Sequence, residues 1–133
     1  MKIAVTSSGD HLQAPLSPVF GRSPAYIFLD TETMEYEVVS NPASGAAGGA
    51  GIQAAQFIVE KDADAVITGN VGPNAYGVLD SANIPAYLSE AETVEEAVEA
   101  FKAGELEKVS DANVPGHFGT GGGGRGRGLG RRG

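Results

Sequence analysis

Three stretches of this chain gather the residue types that bring backbone close to a ligand. The first runs from Thr6 to Pro24 and carries Ser7, Ser8 and Gly9, then Phe20, Gly21 and Arg22. The second, from Asn41 to Gly51, carries Gly48, Gly49 and Gly51. The third, from Thr68 to Asn74, carries Gly69, Asn70, Gly72 and Asn74. They supply glycines, hydroxyls and amides but few charges. Glycine lets backbone N–H groups approach a ligand, and a helix N-terminus adds partial positive charge. Together these make an anion site that needs no lysine. Arg22 is the sole arginine before residue 125, and its guanidinium suits a bidentate or stacking contact. The inferred ligand is an anion, or a large polarisable cluster, in a cleft lined by backbone. Any single glycine of 45–51 has the plainer reading of close helix–sheet packing, and Gly69–Asn74 that of a turn and cap. Arg22 alone would more often be half of a surface ion pair.

Other chemistries find little support. The chain has no cysteine, which excludes disulfides, thiolate ligands and a cysteine nucleophile. His11 and His117 are isolated, and a lone histidine in a polar loop is usually plain surface; metal ligation by either is the alternative. There is no Walker loop and no GxSxG. Gly49 to Ala54 matches GxGxxA but follows a long loop instead of leaving a strand directly, as a dinucleotide site requires. Two-metal hydrolysis needs several carboxylates, and Asp10 is the only acid in the three stretches. Enzyme templates therefore fare poorly, and an enzyme or nucleotide binder using the shared cleft stays as an alternative.

The elements that must position these loops follow from hydrophobic patterning. Ile3-Ala4-Val5 reads as a strand buried on both faces, and Tyr26 to Leu29 as a second. Met34 to Val39 alternates, with Met34, Tyr36 and Val38 on one side, and reads as a half-exposed edge strand. A helix follows Gly51, with Ile52, Ala55 and Val59 at helical spacing. Ala65-Val66-Ile67 is a fourth strand. Pro73 suits the first turn of a second helix carrying Ala75, Val78, Leu79 and Ala82. Ile84 to Leu88 is a fifth strand. Thr93 to Glu96 is a capping box for a third helix striped by Val94, Ala97, Val98 and Phe101, with Gly104 at its end.

Short connections make the first three strands an antiparallel meander, and the helical crossovers make the last two parallel to the first. The expected fold is α/β and ribonuclease H-like: a five-stranded mixed sheet of order 3-2-1-4-5 with three helices. In that topology the three glycine-bearing stretches share one end, where strand order reverses. Open α/β sheets bind ligands at such a switch point.

Length and charge divide the chain in two. Its 133 residues suit one domain. Residues 119–133 read GTGGGGRGRGLGRRG, with four arginines and no acid. Without them the chain keeps five basic and 17 acidic residues, a charge of -12. The expected organisation is a body over 1–109 and a Gly/Arg-rich, flexible tail over 110–133. An acidic body repels nucleic-acid phosphate, so nucleic acid is an unlikely partner for it. The tail is open to three readings: an RNA- or protein-interaction module, a solubilising end, or an arm that folds back on the body or on an anion held there. The N-terminal apolar run is too short for a signal peptide or membrane span, so a cytoplasmic protein without membrane contact is expected.

The sequence resembles the dinitrogenase iron–molybdenum cofactor biosynthesis family, which includes NifX, the C-terminal part of NifB and orange-protein-like small members. Met1 to Val5, Phe20-Gly21-Arg22, Asn41-Pro42, Gly49 to Gln56 and Gly69 to Ala75 carry the likeness, in order and spacing, over about 1–109. The resemblance implies a ribonuclease H-like fold and non-catalytic carriage of an anionic metal–sulfur cluster, molybdenum with iron or copper. It implies cluster donor and acceptor proteins as partners. Many relatives place His before Phe-Gly-Arg, where this chain has Val19. Binding would then be mainly non-covalent, by backbone donors, Arg22 and apolar contact.

Overall fold

The computed structural model describes residues 1–110. The chain folds as β1 (Lys2–Ser7), β2 (Ala25–Asp30), β3 (Tyr36–Ser40), α1 (Ala50–Glu60), β4 (Ala65–Thr68), α2 (Pro73–Ser81), β5 (Ala86–Leu88), α3 (Val94–Lys102) and β6 (Glu107–Lys108). One sheet of order β3-β2-β1-β4-β5-β6 holds all the strands. β1 is antiparallel to β2 and parallel to β4, and β5 is parallel to β4. The expected order of five is present, and it fits the ribonuclease H-like arrangement. The sixth strand is an addition: two residues, Glu107 and Lys108, run back along β5. A strand that short carries no periodicity to read.

Alternation along the central strands sorts the core into two layers. Ala4, Tyr26, Phe28 and Val66 face α1 and α2. Ile3, Val5, Ile27, Leu29, Ala65 and Ile67 face α3. Both faces of β1 and β4 are therefore apolar and covered, as parallel strands require. Val94, Ala97 and Val98 of α3 are buried as the stripe predicted, with Phe101 half-buried against Tyr87 at 5.1 Å between ring centres. Thr93 caps α3, its hydroxyl accepting from the Glu96 N–H at 3.2 Å, and Gly104 follows the helix with φ 75°.

Two expectations need correcting. Met34 lies in the β2–β3 turn with φ 64°, and the edge strand starts at Tyr36. The Asp30 carboxylate accepts from the Glu32 and Thr33 N–H groups, and this turn claims the residues up to Glu35. In α1 the inward residues are Ala50, Ala54, Ala55 and Ile58, whereas Ile52 is 37% exposed. The helix starts at Ala50, and its alanines fit against the sheet where larger side chains would not.

Among the described residues, no helix is long and apolar enough to cross a membrane.

Candidate functional site

Strand directions put the C-terminal ends of β1, β4 and β5 at one rim of the sheet, with the N-termini of α1 and α2 above it. Close approaches confirm that the three glycine-bearing loops meet there. A Cβ on Gly21 would lie 2.9 Å from the Gly51 N and Cα, so only glycine fits where the first loop crosses the start of α1. A Cβ on Gly69 would lie 2.8 Å from the Pro18 Cα and O. Gly51 in turn faces Ala75 at the start of α2.

The loops are tied down by small polar side chains. Every buried polar residue among the described ones lies at or beside this rim: Thr6, Ser7, Ser17, Ser23, Asn41, Thr68 and Ser89. Thr6 Oγ1 donates to the Ser17 carbonyl at 2.8 Å and lies 3.2 Å from Thr68 Oγ1. Asn41 Nδ2 donates to the carbonyls of Gly21 and Ser23, both at 2.9 Å, and its Oδ1 accepts from the Ala43 N–H at 2.9 Å. Tyr26 Oη donates to the Phe20 carbonyl at 2.6 Å. Burial pushes the Tyr26 phenol far above its ordinary pKa, so this donor keeps its proton. The network holds the Phe20-Gly21-Arg22 backbone from two sides.

Between the loops lies a cleft of about 430 Å³. Of the residues expected at the site, Phe20, Gly21, Arg22, Gly49, Gly51, Asn70, Gly72 and Asn74 line it. Ser7, Ser8, Gly9, Gly48 and Gly69 do not. Ser7 is buried and its hydroxyl bonds to the Gly9 backbone, so it serves the loop itself. Ser8 is exposed outside the lining, with its N–H on the Pro15 carbonyl. Gly9 and Gly69 sit against Ala14 and Pro18, and Gly48 is exposed in the loop before the cleft. His11 is exposed in the first loop, and no group of three His, Cys, Asp or Glu able to hold a metal occurs among the described residues. His117 and the arginines of 119–133 lie outside the described residues.

Val19, Ala50, Ile52, Pro73 and Ala75 also line the cleft. Apolar residues carry no chemical signature in sequence. Exposure reveals two of them: Val19 (44%) and Ile52 (37%) are two of the four exposed large apolar side chains among the described residues.

The electrostatics are one-sided. Among the described residues Arg22 is the only charged side chain in the lining, in no described ion pair, and its Nη1 donates to the Ser44 carbonyl at 3.1 Å. No side chain caps α1 or α2, and neither has an acid in its first turn. The α1 cap, Gly49, has φ 70°, and the α2 cap is Gly72 followed by Pro73. The first helical bonds run from Gln53 N–H to the Gly49 carbonyl and from Tyr76 N–H to the Gly72 carbonyl. The N–H groups of Ala50, Gly51, Ile52, Asn74 and Ala75 precede those bonds, on residues that line the cleft. By contrast α3, capped by Thr93 and carrying Glu95 and Glu96 in its first turn, compensates its own dipole.

A mixed sheet with two open helix N-termini and one guanidinium at its switch point defines an α/β domain with a cleft at one rim. The family follows from comparison. Residues 1–104 match the model of the family described as "Dinitrogenase iron-molybdenum cofactor", and the chain belongs to that family. The apo form of the orange protein from Desulfovibrio gigas is 36% identical, with a TM-score of 0.79 over 82% of this chain and 92% of that one. A NifB-like protein from Thermotoga is 37% identical, with a TM-score of 0.71 over 80% and 91%. The uncharacterized protein MJ0580 of Methanocaldococcus jannaschii is 32% identical over 111 residues, covering 81% of this chain and 91% of that protein.

Proposed function

We propose that the chain binds and carries an anionic metal–sulfur cluster, molybdenum with iron or copper, held in the rim cleft without covalent bonds. The carrying observation is the convergence of two uncapped helix N-termini and Arg22 on a space that no carboxylate of the described residues lines. In a chain with 17 acidic residues, a carboxylate-free hollow with exposed dipole ends favours a negative guest. Val19 and Ile52 add apolar contact, which suits a polarisable sulfide surface. Apart from Arg22 no titratable side chain among the described residues lines the space, so the chemistry supported is binding and release, with no bond made or broken in the guest. The family's name supplies the class of cargo; release then calls for donor and acceptor proteins.

Phe20, Gly21, Arg22, Gly49, Gly51, Asn70, Gly72 and Asn74 form the contact set. Ser7, Ser8, Gly9, Gly48 and Gly69 belong to the loops that hold it.

Anaerobic incubation with tetrathiomolybdate, with and without cuprous ion, tests this. Retention of molybdenum through gel filtration, with a charge-transfer absorption band, is expected. Arg22→Ala should weaken retention on the order of tenfold, the worth of one charge-assisted contact. No retention under any of these conditions sinks the reading.

A further inference from the structure

The sheet stops at β3 with backbone groups left over. Tyr36–Ser40 pairs with β2 on one side only, whereas the opposite edge, β6, is two residues long. The phase of the β2–β3 ladder is fixed at both ends. The Asp30 N–H bonds to the Glu35 carbonyl and the Asn41 N–H to the Pro24 carbonyl, with Leu29 opposite Tyr36 and Ala25 opposite Ser40 between them. Antiparallel partners alternate between bonded and non-bonded pairs, so Glu35, Glu37, Val39 and Asn41 turn their backbone groups to β2. The N–H and C=O groups of Tyr36, Val38 and Ser40 therefore point away from the sheet, and no bond from a described residue reaches them.

Edges are commonly blunted by lysine, proline or a bulge. β3 has none of these: its register runs unbroken through five pairs. Tyr36, at 42%, is one of the four exposed large apolar side chains among the described residues. The charges nearby are Glu35 and Glu37, both exposed.

The strand's own sequence is complementary to itself in one register. A second copy laid antiparallel about a two-fold axis at Val38 sets Tyr36 against the partner's Ser40 and Val38 against the partner's Val38. All three outward residues then form bonded pairs. Tyr36 is covered by the partner's Ser40 and, diagonally, by the partner's Val38. Glu37 faces the partner's Val39 and Glu35 the partner's Asn41, so no two carboxylates meet. The neighbouring registers are worse. An axis at Glu37 sets that residue against itself, and one at Tyr36 sets Glu35 against the partner's Glu37 twice; like charges directly opposite destabilise a sheet. An axis at Val39 or Ser40 carries an outward residue onto Pro42, which has no N–H to give.

We propose that β3 pairs with β3 of a second copy about the axis at Val38, continuing the sheet from one chain into the other. The antiparallel pairing sends the two rim clefts to opposite ends of the joined sheet, so both stay open. The proposal stands apart from any reading of the cleft.

The chain has no cysteine, so single-cysteine variants report which residues meet. Cα atoms of a bonded pair lie about 5.5 Å apart, inside the range of roughly 4.4–6.8 Å that a disulfide spans. Under mild oxidation Val38→Cys should form a disulfide dimer on the order of tenfold faster than Glu99→Cys, an exposed control on α3, because pairing raises the effective concentration of the thiols. Tyr36→Cys and Ser40→Cys should each be slow alone and fast when mixed. Sedimentation of the unmodified full chain should show mass moving toward a dimer as salt rises to about 1 M, where repulsion between two acidic chains is screened within about 3 Å. Val38→Pro deletes an outward N–H and no bond to β2, and should leave only monomer; thermal melts check that it folds. A monomer at every salt and at about millimolar concentration, where even a weak pair would form, overturns the proposal. So does a dimer that survives in folded Val38→Pro, or cross-linking at Val38 no faster than at Glu99. Glu37→Cys cross-linking faster than Val38→Cys refutes the register and the pairing argued from it.

Discussion

At the scale of single residues, the cleft depends on groups that do not line it. Asn41 uses both amide hydrogens and its oxygen to clamp the first and second loops. Asn41→Ala strands two carbonyls and one N–H in a buried place. We expect a loss of roughly 2–4 kcal/mol of stability, read by urea denaturation, and weaker anion uptake in the fraction that folds. Tyr26→Phe removes the donor to the Phe20 carbonyl at a cost of about 1–2 kcal/mol, with the ring packing kept. Sequence reading singled out Arg22 and the cleft glycines but missed this tier. A serine reads as a potential ligand wherever it stands. Ser7 is turned inward only because the loop after β1 folds back, its Leu16 bridging to Ser7 itself. Gly69 and Gly51 are likewise the same letter. One meets Pro18 and the other lines the cleft, a difference that exists only in three dimensions.

At the scale of elements, helix ends divide by task. α3 is capped and acidic at its start and packs on the face away from the cleft, whereas α1 and α2 forgo caps and open on it. Thr93→Ala should therefore cost about 1 kcal/mol in a thermal melt and leave anion affinity unchanged. Gly72 permits the converse experiment. Its backbone is extended, at φ -81° and ψ 171°, and a Cβ there meets nothing within 4 Å. Gly72→Asp should cap α2 and raise stability by a few tenths of a kcal/mol. It should also place a carboxylate at the cleft and abolish retention of thiomolybdate, while Gly72→Asn caps without the charge and retains binding. Equal retention by the Asp and Asn variants would remove α2 from the site. Strand and helix order was legible because short β-branched runs alternate with helical spacing and Pro73 marks a start. The face of α1 was not. A helix built on Ala50, Ala54 and Ala55 gives little hydropathy contrast, so the expected stripe kept the buried Ala55 but was skewed toward Ile52, the exposed apolar residue a turn earlier.

At the scale of the whole molecule, charge decides how the protein meets its surroundings. The Asp30 carboxylate, accepting from two backbone N–H groups, is held below the usual carboxylate range. A lowered folded-state value means its contribution is complete above the unfolded-state pKa and disappears as pH falls through the folded one. Asp30→Asn should thus flatten the loss of stability on acidification below about pH 4, checked by melts across pH 2–7. Seven buried polar residues crowd one rim, and the sheet beneath it is packed with hydrocarbon on both faces. Recognition and folding are thereby kept in separate compartments. Loops from a relative with a different appetite can be transplanted onto the same pedestal as a set, provided they return carbonyls to Thr6, Tyr26 and Thr68, the strand side chains that bond to them.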